Sequence, residues 1–361
     1  MHTRSLLLAL FFLTACGDSS SSSGGGDGDG DVSRSDGGGD GDGVAGDGDG
    51  DGDGDGNGDG DGDGDGDGDG DGDGPAGGAR FTYLAAGWDH TCGVLQDGTI
   101  SCWGADDEGE VGGPNADTSS DFIQVTAGRA TTCGLRPDGT ATCWGDDFSG
   151  QVSGLGAYMG ADIAEIAAGL DHTCALRSDG TLLCWGNHDS GHVSGPNGDG
   201  RAGFTNVVAG ALGTCALRDD DSLTCWGDDR YGEATGANAD GGNDFVQLST
   251  RNYHTCAVRR GGAVVCWGDD GEGQVSLPNA DASGDYGQVA TGGAHTCGLH
   301  LDGSISCWGN DGFGQVGGPN ADTSNDFIQV TAGTLHTCGL HRDGTVTCWG
   351  GDSDGQVGGA P

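Results

Sequence analysis

His90-Thr-Cys-Gly-Val-Leu-Gln-Asp-Gly-Thr-Ile-Ser-Cys-Trp-Gly104 recurs, in outline, seven times along the chain. Its first cysteine falls at Cys92, Cys133, Cys174, Cys215, Cys256, Cys297 and Cys338, always 41 residues apart. The second follows ten residues later, at Cys102, Cys143, Cys184, Cys225, Cys266, Cys307 and Cys348, and a Trp-Gly pair comes after each. Asp97-Gly98 stands midway between the first two. A three-residue loop, Gln96-Asp97-Gly98, closes a β-hairpin through a type I turn with Gly98 left-handed. Val94 then faces Ile100, and Cys92 faces Cys102. A two-residue Asp-Gly turn would shift the register and send the cysteines to opposite faces. The longer loop makes them a directly opposed, non-hydrogen-bonded pair, where side chains lie closest. That is the approach a disulfide needs. The left-handed position is glycine in six units and Asp221 in the fourth, a residue type that tolerates the conformation.

Two further apolar pieces keep the period. Phe81-Thr-Tyr-Leu84-Ala-Ala-Gly87 lies upstream of the hairpin, and Gly109-Glu-Val111 downstream. Each unit thus offers four short strands separated by turn signals, the pattern of a propeller blade. The first and last units look like the middle ones. An open stack needs atypical ends, whereas a ring does not. The expected fold is all-β, a seven-bladed β-propeller of four-stranded blades over residues 81–361.

Val125-Thr-Ala-Gly128, His172-Thr-Cys, Asp179-Gly180-Thr181, Cys184-Trp185-Gly186 and Gly314-Gln315-Val316-Gly317 together resemble the regulator of chromosome condensation repeat family. The resemblance covers all seven units and implies a seven-bladed propeller. Bacterial members with short, cysteine-paired repeats are the nearest in pattern, and one relative is a secreted propeller that inhibits β-lactamase. The nucleotide-exchange activity of the eukaryotic namesake depends on an inserted wedge that these units lack, so that activity is not carried over.

The first 80 residues are read as outside the propeller. Arg4 followed by the apolar run Leu6 to Leu13 has the layout of a secretory leader, 1–16, too short to span a membrane as a helix. Leu13-Thr14-Ala15-Cys16 resembles the bacterial lipoprotein processing box, with Cys16 as the acylated residue. Residues 17–80 form a Ser/Gly/Asp-rich stretch with too few apolar residues to build a core, expected to be a disordered acidic tether. Of 15 cysteines, fourteen fall into seven local pairs and Cys16 is the odd one. An exported chain permits the disulfides. The expected location is the outer membrane or cell surface, with the lipid as the only membrane contact.

The net charge of −44 comes from 57 acids against 13 basic residues. Such a surface repels nucleic-acid backbones and suits a basic partner. No Ser-His-Asp logic, phosphate loop or zinc spacing stands out, so the expected protein is not an enzyme and needs no cofactor. The loops Asn115-Ala-Asp117-Thr-Ser119-Ser-Asp121 and Asn320-Ala-Asp322-Thr-Ser324-Asn-Asp326 alternate oxygen ligands, which makes Asp117, Asp121, Asp322 and Asp326 candidates for Ca²⁺. They lack the glycine and closing glutamate of a calcium loop, and Asp and Asn also make turns unaided. Aromatic and arginine residues that break the repeat rule are the candidate ligand-binding residues: Phe148, Tyr158, Arg230, Tyr231, Arg251, Tyr253 and Phe313. The functional expectation is a monomeric, envelope-anchored binding module for an extracellular or periplasmic protein or glycan. The alternatives are a lyase or hydrolase acting at the channel mouth and a calcium-responsive structural surface protein.

Overall fold

A computed structural model of the chain describes residues 78–157, 160–195, 202–281 and 283–361. The leader 1–16 with Cys16, and the tether as far as residue 77, lie outside the described residues. Each repeat folds into one antiparallel sheet of three strands, taken in chain order. In the first repeat these are Phe81–Ala86, His90–Leu95 and Ile100–Gly104. The hairpin register is Val94↔Ile100 and Cys92↔Cys102. Leu95 N–H donates to Thr99 O and Gly98 N–H to Leu95 O, at 2.8 and 2.9 Å, with Gly98 at φ 84°. Asp221 takes the same conformation at φ 62°. All seven hairpin cysteine pairs are disulfides, with Cα–Cα distances of 4.0–4.1 Å.

The expected four-stranded blade is incorrect: the sheets have three strands. The stretch Gly109-Glu-Val111 is a turn that leads into a one-turn helix, Gly112–Ala116. Two side chains explain the change. Asp106 Oδ1 accepts the N–H groups of Val111 and Gly112, at 2.9 and 2.8 Å, and curls the chain away from the sheet. Asn115, one residue past Pro114, then turns its carboxamide onto the outer strand. Its Oδ1 accepts from Cys102 N–H at 2.7 Å and its Nδ2 donates to Cys102 O at 2.9 Å. The amide supplies the donor and acceptor that a fourth strand would have supplied. Asn238, Asn279 and Asn320 do the same for Cys225, Cys266 and Cys307.

The core lies between sheets rather than within them. Phe204 and Val207 of the fourth repeat pack on Cys174, Leu176 and Leu182 of the third. Phe81, Leu84 and Trp103 of the first pack on Cys338 and Leu340 of the seventh. The first strand of every repeat lies beside that of the next, and the first repeat's strand lies beside the seventh's, so the arrangement is a closed, propeller-like ring. Closure involves no strand exchange, because Phe81–Ala86 pairs with the middle strand of its own repeat.

Polar side chains stitch neighbouring sheets at two levels. Facing the axis, Gln329 Oε1 accepts from Leu84 N–H at 2.9 Å while its Nε2 donates to Leu84 O at 2.8 Å. Gln247 makes the same pair of bonds to Val289. Glu165 stands in this series between Gln124 and Asn206. It accepts from Val207 N–H at 3.2 Å and from Asn206 Nδ2 at 2.6 Å. Burial pushes its carboxyl up to about 8. Deeper in five of the seven interfaces, a histidine meets a threonine of the next repeat. His90, His172, His254, His295 and His336 approach Thr132, Thr214, Thr296, Thr337 and Thr91 at 2.9–3.0 Å through Nε2. Thr132 donates its own hydroxyl proton to Glu110 O at 2.8 Å, so His90 is the donor of the pair and carries its proton on Nε2.

Removing an edge amide should expose this arrangement. Asn320→Ala leaves the Cys307 N–H and C=O without their partner and should cost about 1–2 kcal/mol in urea unfolding. An unchanged midpoint would mean that the edge needs no cap.

The histidines set a pH limit. Burial pushes their imidazoles down to about 3, and to about 4 at His254. The unfolded chain protonates them near pH ~6.5. Their contribution is present above that value and is lost as pH falls toward the folded values, by about 2 kcal/mol per histidine at pH ~5. His172→Thr copies the residue the second repeat carries, Thr131. It should lower stability at neutral pH and lose less on acidification than the parent; equal losses would reject the assignment.

Candidate functional site

First strands run toward one rim, middle strands return, and outer strands run to the first rim again. The loops after the first and third strands therefore share a rim, and the hairpin turns occupy the opposite one. Most of the sequence-predicted binding residues lie in the loops of the shared rim. Tyr231, after the fourth repeat's outer strand, stacks on Tyr253 of the fifth at a ring-centroid distance of 5.1 Å. Arg230 beside it pairs with Asp228 at 2.6 Å. Phe148 and Phe313 occupy the corresponding loops of the second and sixth repeats and are 97% and 58% exposed. Arg129 lies over the Trp88 ring at 5.4 Å on the same rim. Tyr158 falls outside the described residues. The structure thus joins Tyr231 with Tyr253, leaves the two phenylalanines on separate loops, and sends Arg251 elsewhere.

Arg251 enters the channel along the ring axis. The channel is walled by first strands in belts. One belt is polar, with Tyr83, Gln124, Glu165, Gln247, Gln288 and Gln329, and the next carries small side chains such as Ala85, Thr126, Ala167, Val208 and Ser249. The third belt is glycine at 87, 128, 169, 210, 292 and 333, and arginine at 251. The channel volume between these belts is about 190 Å³. Arg251 Nη2 donates to Ala86 O, from the fifth repeat to the first. Burial lowers its guanidinium to about 10, and Asp89 works against that shift. Burial and Asp354 raise Asp89, while Arg251 and Arg129 lower it. Burial takes Tyr83 up to about 12.

Three of the four carboxylates considered as calcium ligands are engaged by an arginine or histidine at the end of a middle strand, and the fourth by a serine of its own loop. Arg136 reaches Asp117 at 3.2 Å and Asp121 at 3.0 Å, and lies over the Phe122 ring at 4.2 Å. His341 Nδ1 meets Asp326 Oδ1 at 2.8 Å and stacks on Phe327. Asp322 accepts from the Ser324 N–H and hydroxyl. Among the described residues, no group of three or more His, Cys, Asp or Glu side chains is placed to hold a metal ion.

The five His–Thr pairs have the spacing of a base and a nucleophile. Each pair is buried to 0–1%. In each, the threonine also contacts a backbone carbonyl, so the pairs serve packing rather than chemistry. Sequence reasoning missed Tyr83 and Glu165, which belong to one polar column of the period, and His192, which stacks on His172 at 4.4 Å.

Residues 81–110, 122–151, 163–191, 204–233, 245–274, 288–315 and 327–356 match the regulator of chromosome condensation (RCC1) repeat. Among solved structures, the ectodomain of the Physcomitrella patens receptor kinase CR4 is similar at 24% identity and a TM-score of 0.59, over 75% of this chain and 73% of that one. The ectodomain of the Arabidopsis thaliana receptor kinase ACR4 follows at 22% and 0.56, over 75% of this chain and 98% of that one. Prp20p of Saccharomyces cerevisiae is similar at 18% and 0.52, over 70% and 80%. No curated protein matches the sequence. With all seven units matched in register, the chain belongs to the regulator of chromosome condensation repeat family.

Proposed function

We propose that this protein is a non-catalytic binding module whose loop rim takes an extracellular or periplasmic partner, a protein or a glycan. The observation that carries the reading is the stacked Tyr231–Tyr253 pair flanked by Arg230, with Phe148 and Phe313 projecting from the same rim. Aromatic and arginine side chains of this kind dominate binding hot spots, and a rigid ring can present them without reordering. Prp20p is described together with its binding to Gsp1p and histones, so a ring of these repeats serves in protein binding elsewhere. The acidic exterior here favours a partner with a basic surface. Placement outside the cell agrees with the seven hairpin disulfides and with the receptor ectodomains that share the fold.

In this reading, residues 1–16 export the chain, Cys16 carries the lipid, and 17–80 hold the ring away from an outer membrane or cell surface. A photo-crosslinking side chain placed at Phe148 should trap one partner from surface extracts. Tyr231→Ser should reduce that capture about tenfold or more while leaving the thermal midpoint in place. Equal capture from a crosslinker on the opposite rim, at Leu301, would refute the assignment of the rim. Cys16→Ser should move the protein from the membrane fraction to the soluble one; retention in the membrane would remove the lipid anchor from the account.

A further inference from the structure

Arg251 is the one departure in a belt that is otherwise glycine, and its placement is costly. Arg136, Arg177, Arg230, Arg259 and Arg260 each have an aspartate within ion-pair distance. Arg251 has no such carboxylate among the described residues. Its one hydrogen bond runs to Ala86 O. Arg251 is half-buried, and it borders both the 190 Å³ cavity and a second of about 10 Å³. A guanidinium carries five N–H donors. Taking it out of water without satisfying them is unfavourable by several kcal/mol.

We propose that the ring channel is a binding site for a short aliphatic carboxylate, with the Arg251 guanidinium as its anchor. The charge of the channel suits an anion. The groups that face Arg251 are Asp89 and His90 of the first repeat, His254 of its own, and His295 and His336 of the sixth and seventh. The imidazoles are neutral at physiological pH, which leaves Asp89 as the sole charged neighbour, beyond ion-pair reach. Burial pushes the carboxyl of Glu165, in the polar belt, up to about 8, which weakens its opposition to the arginine at neutral pH.

The shape selects the class of anion. A planar guanidinium grips a carboxylate through two parallel N–H···O bonds. The belt between Arg251 and the polar belt is lined in part by Ala85, Ala167, Val208 and Ala290. Those walls favour an apolar tail over a fully hydrated inorganic anion. A volume of about 190 Å³ is the share of roughly six waters, which admits a carboxylate with a tail of a few carbons.

The test uses propionate as the probe and the intact chain, read by saturation-transfer NMR at neutral pH. Saturable binding is expected, weakened about tenfold or more in Arg251→Gly. Glycine is what the other six repeats carry, so this variant should keep the ring; circular dichroism and the thermal midpoint check that it does. Should it unfold, Arg251→Gln retains a donor toward Ala86 O and should show the same loss. Propionate that binds the variants as tightly as the parent, or does not saturate on the parent, would overturn the site. Chloride or inorganic phosphate displacing propionate at equal concentration would overturn the carboxylate assignment.

Discussion

A sheet of three short strands with two apolar faces cannot stand in water by itself. Here each sheet buries one face against the preceding repeat and the other against the following one, as Trp103 and Leu84 do on Cys338 and Leu340. Every repeat therefore needs two neighbours, and only a closed ring gives two to all seven. The disulfides act on a smaller scale. Each ties a hairpin that its own turn already specifies, and so keeps the middle and outer strands in register while the larger interface forms. Sulfurs and interface are linked sterically, because the half-cystines sit inside the inter-sheet cores with the aliphatic side chains.

The same chemical device recurs where backbone pairing stops. A carboxamide sets an N–H donor group and a carbonyl acceptor at nearly the spacing of a peptide group. Asn115 uses its amide to finish the outer edge of a sheet. Gln329 uses its amide to couple two inner strands that do not pair through their backbones. Backbone groups that a fourth strand or a continuous barrel would satisfy are thus met by side chains, and the sheets stay free to splay around the axis. Glu165 can offer only acceptors unless it is protonated. Burial raises its affinity for a proton, against the two bonds it accepts from Val207 N–H and Asn206 Nδ2.

What could be read from the sequence was local. The turn, the cysteine register and the left-handed Asp221 follow from a few consecutive residues, and the structure has all three. The fourth strand was misjudged because Gly109-Glu-Val111 repeats as faithfully as a strand does, while the residues that bend it, Asp106 and Asn115, act through side chains on backbone five to thirteen positions away. The acidic loops resembled cation sites for a similar reason. Their partners, Arg136 and His341, lie fifteen to nineteen residues along the chain. A signal was present: the column that holds Arg136, Arg177, Arg218 and Arg259 continues as His300 and His341, beside an aromatic residue in every case but Arg177, which faces Ile163. Reading columns of the repeat rather than runs of the chain would have joined the two. The polar column from Tyr83 to Gln329 would have pointed to the channel in the same way.

Repetition also separates what the scaffold requires from what it carries. Six glycines at one position show that the ring closes without a side chain there. Arginine at the seventh cannot be a demand of the fold, and its burial without a carboxylate partner works against stability. The His–Thr series differs. The second and fourth repeats lack the histidine: Thr131 donates to Asp146 O, and beside Gly213 the next repeat's Thr255 bonds Thr250 instead. Those departures have local compensation inside the protein. Arg251 has one carbonyl and an open channel. Of all the places where this chain breaks its own period, the axis of the ring is where the imbalance points outward, to something the protein does not itself supply.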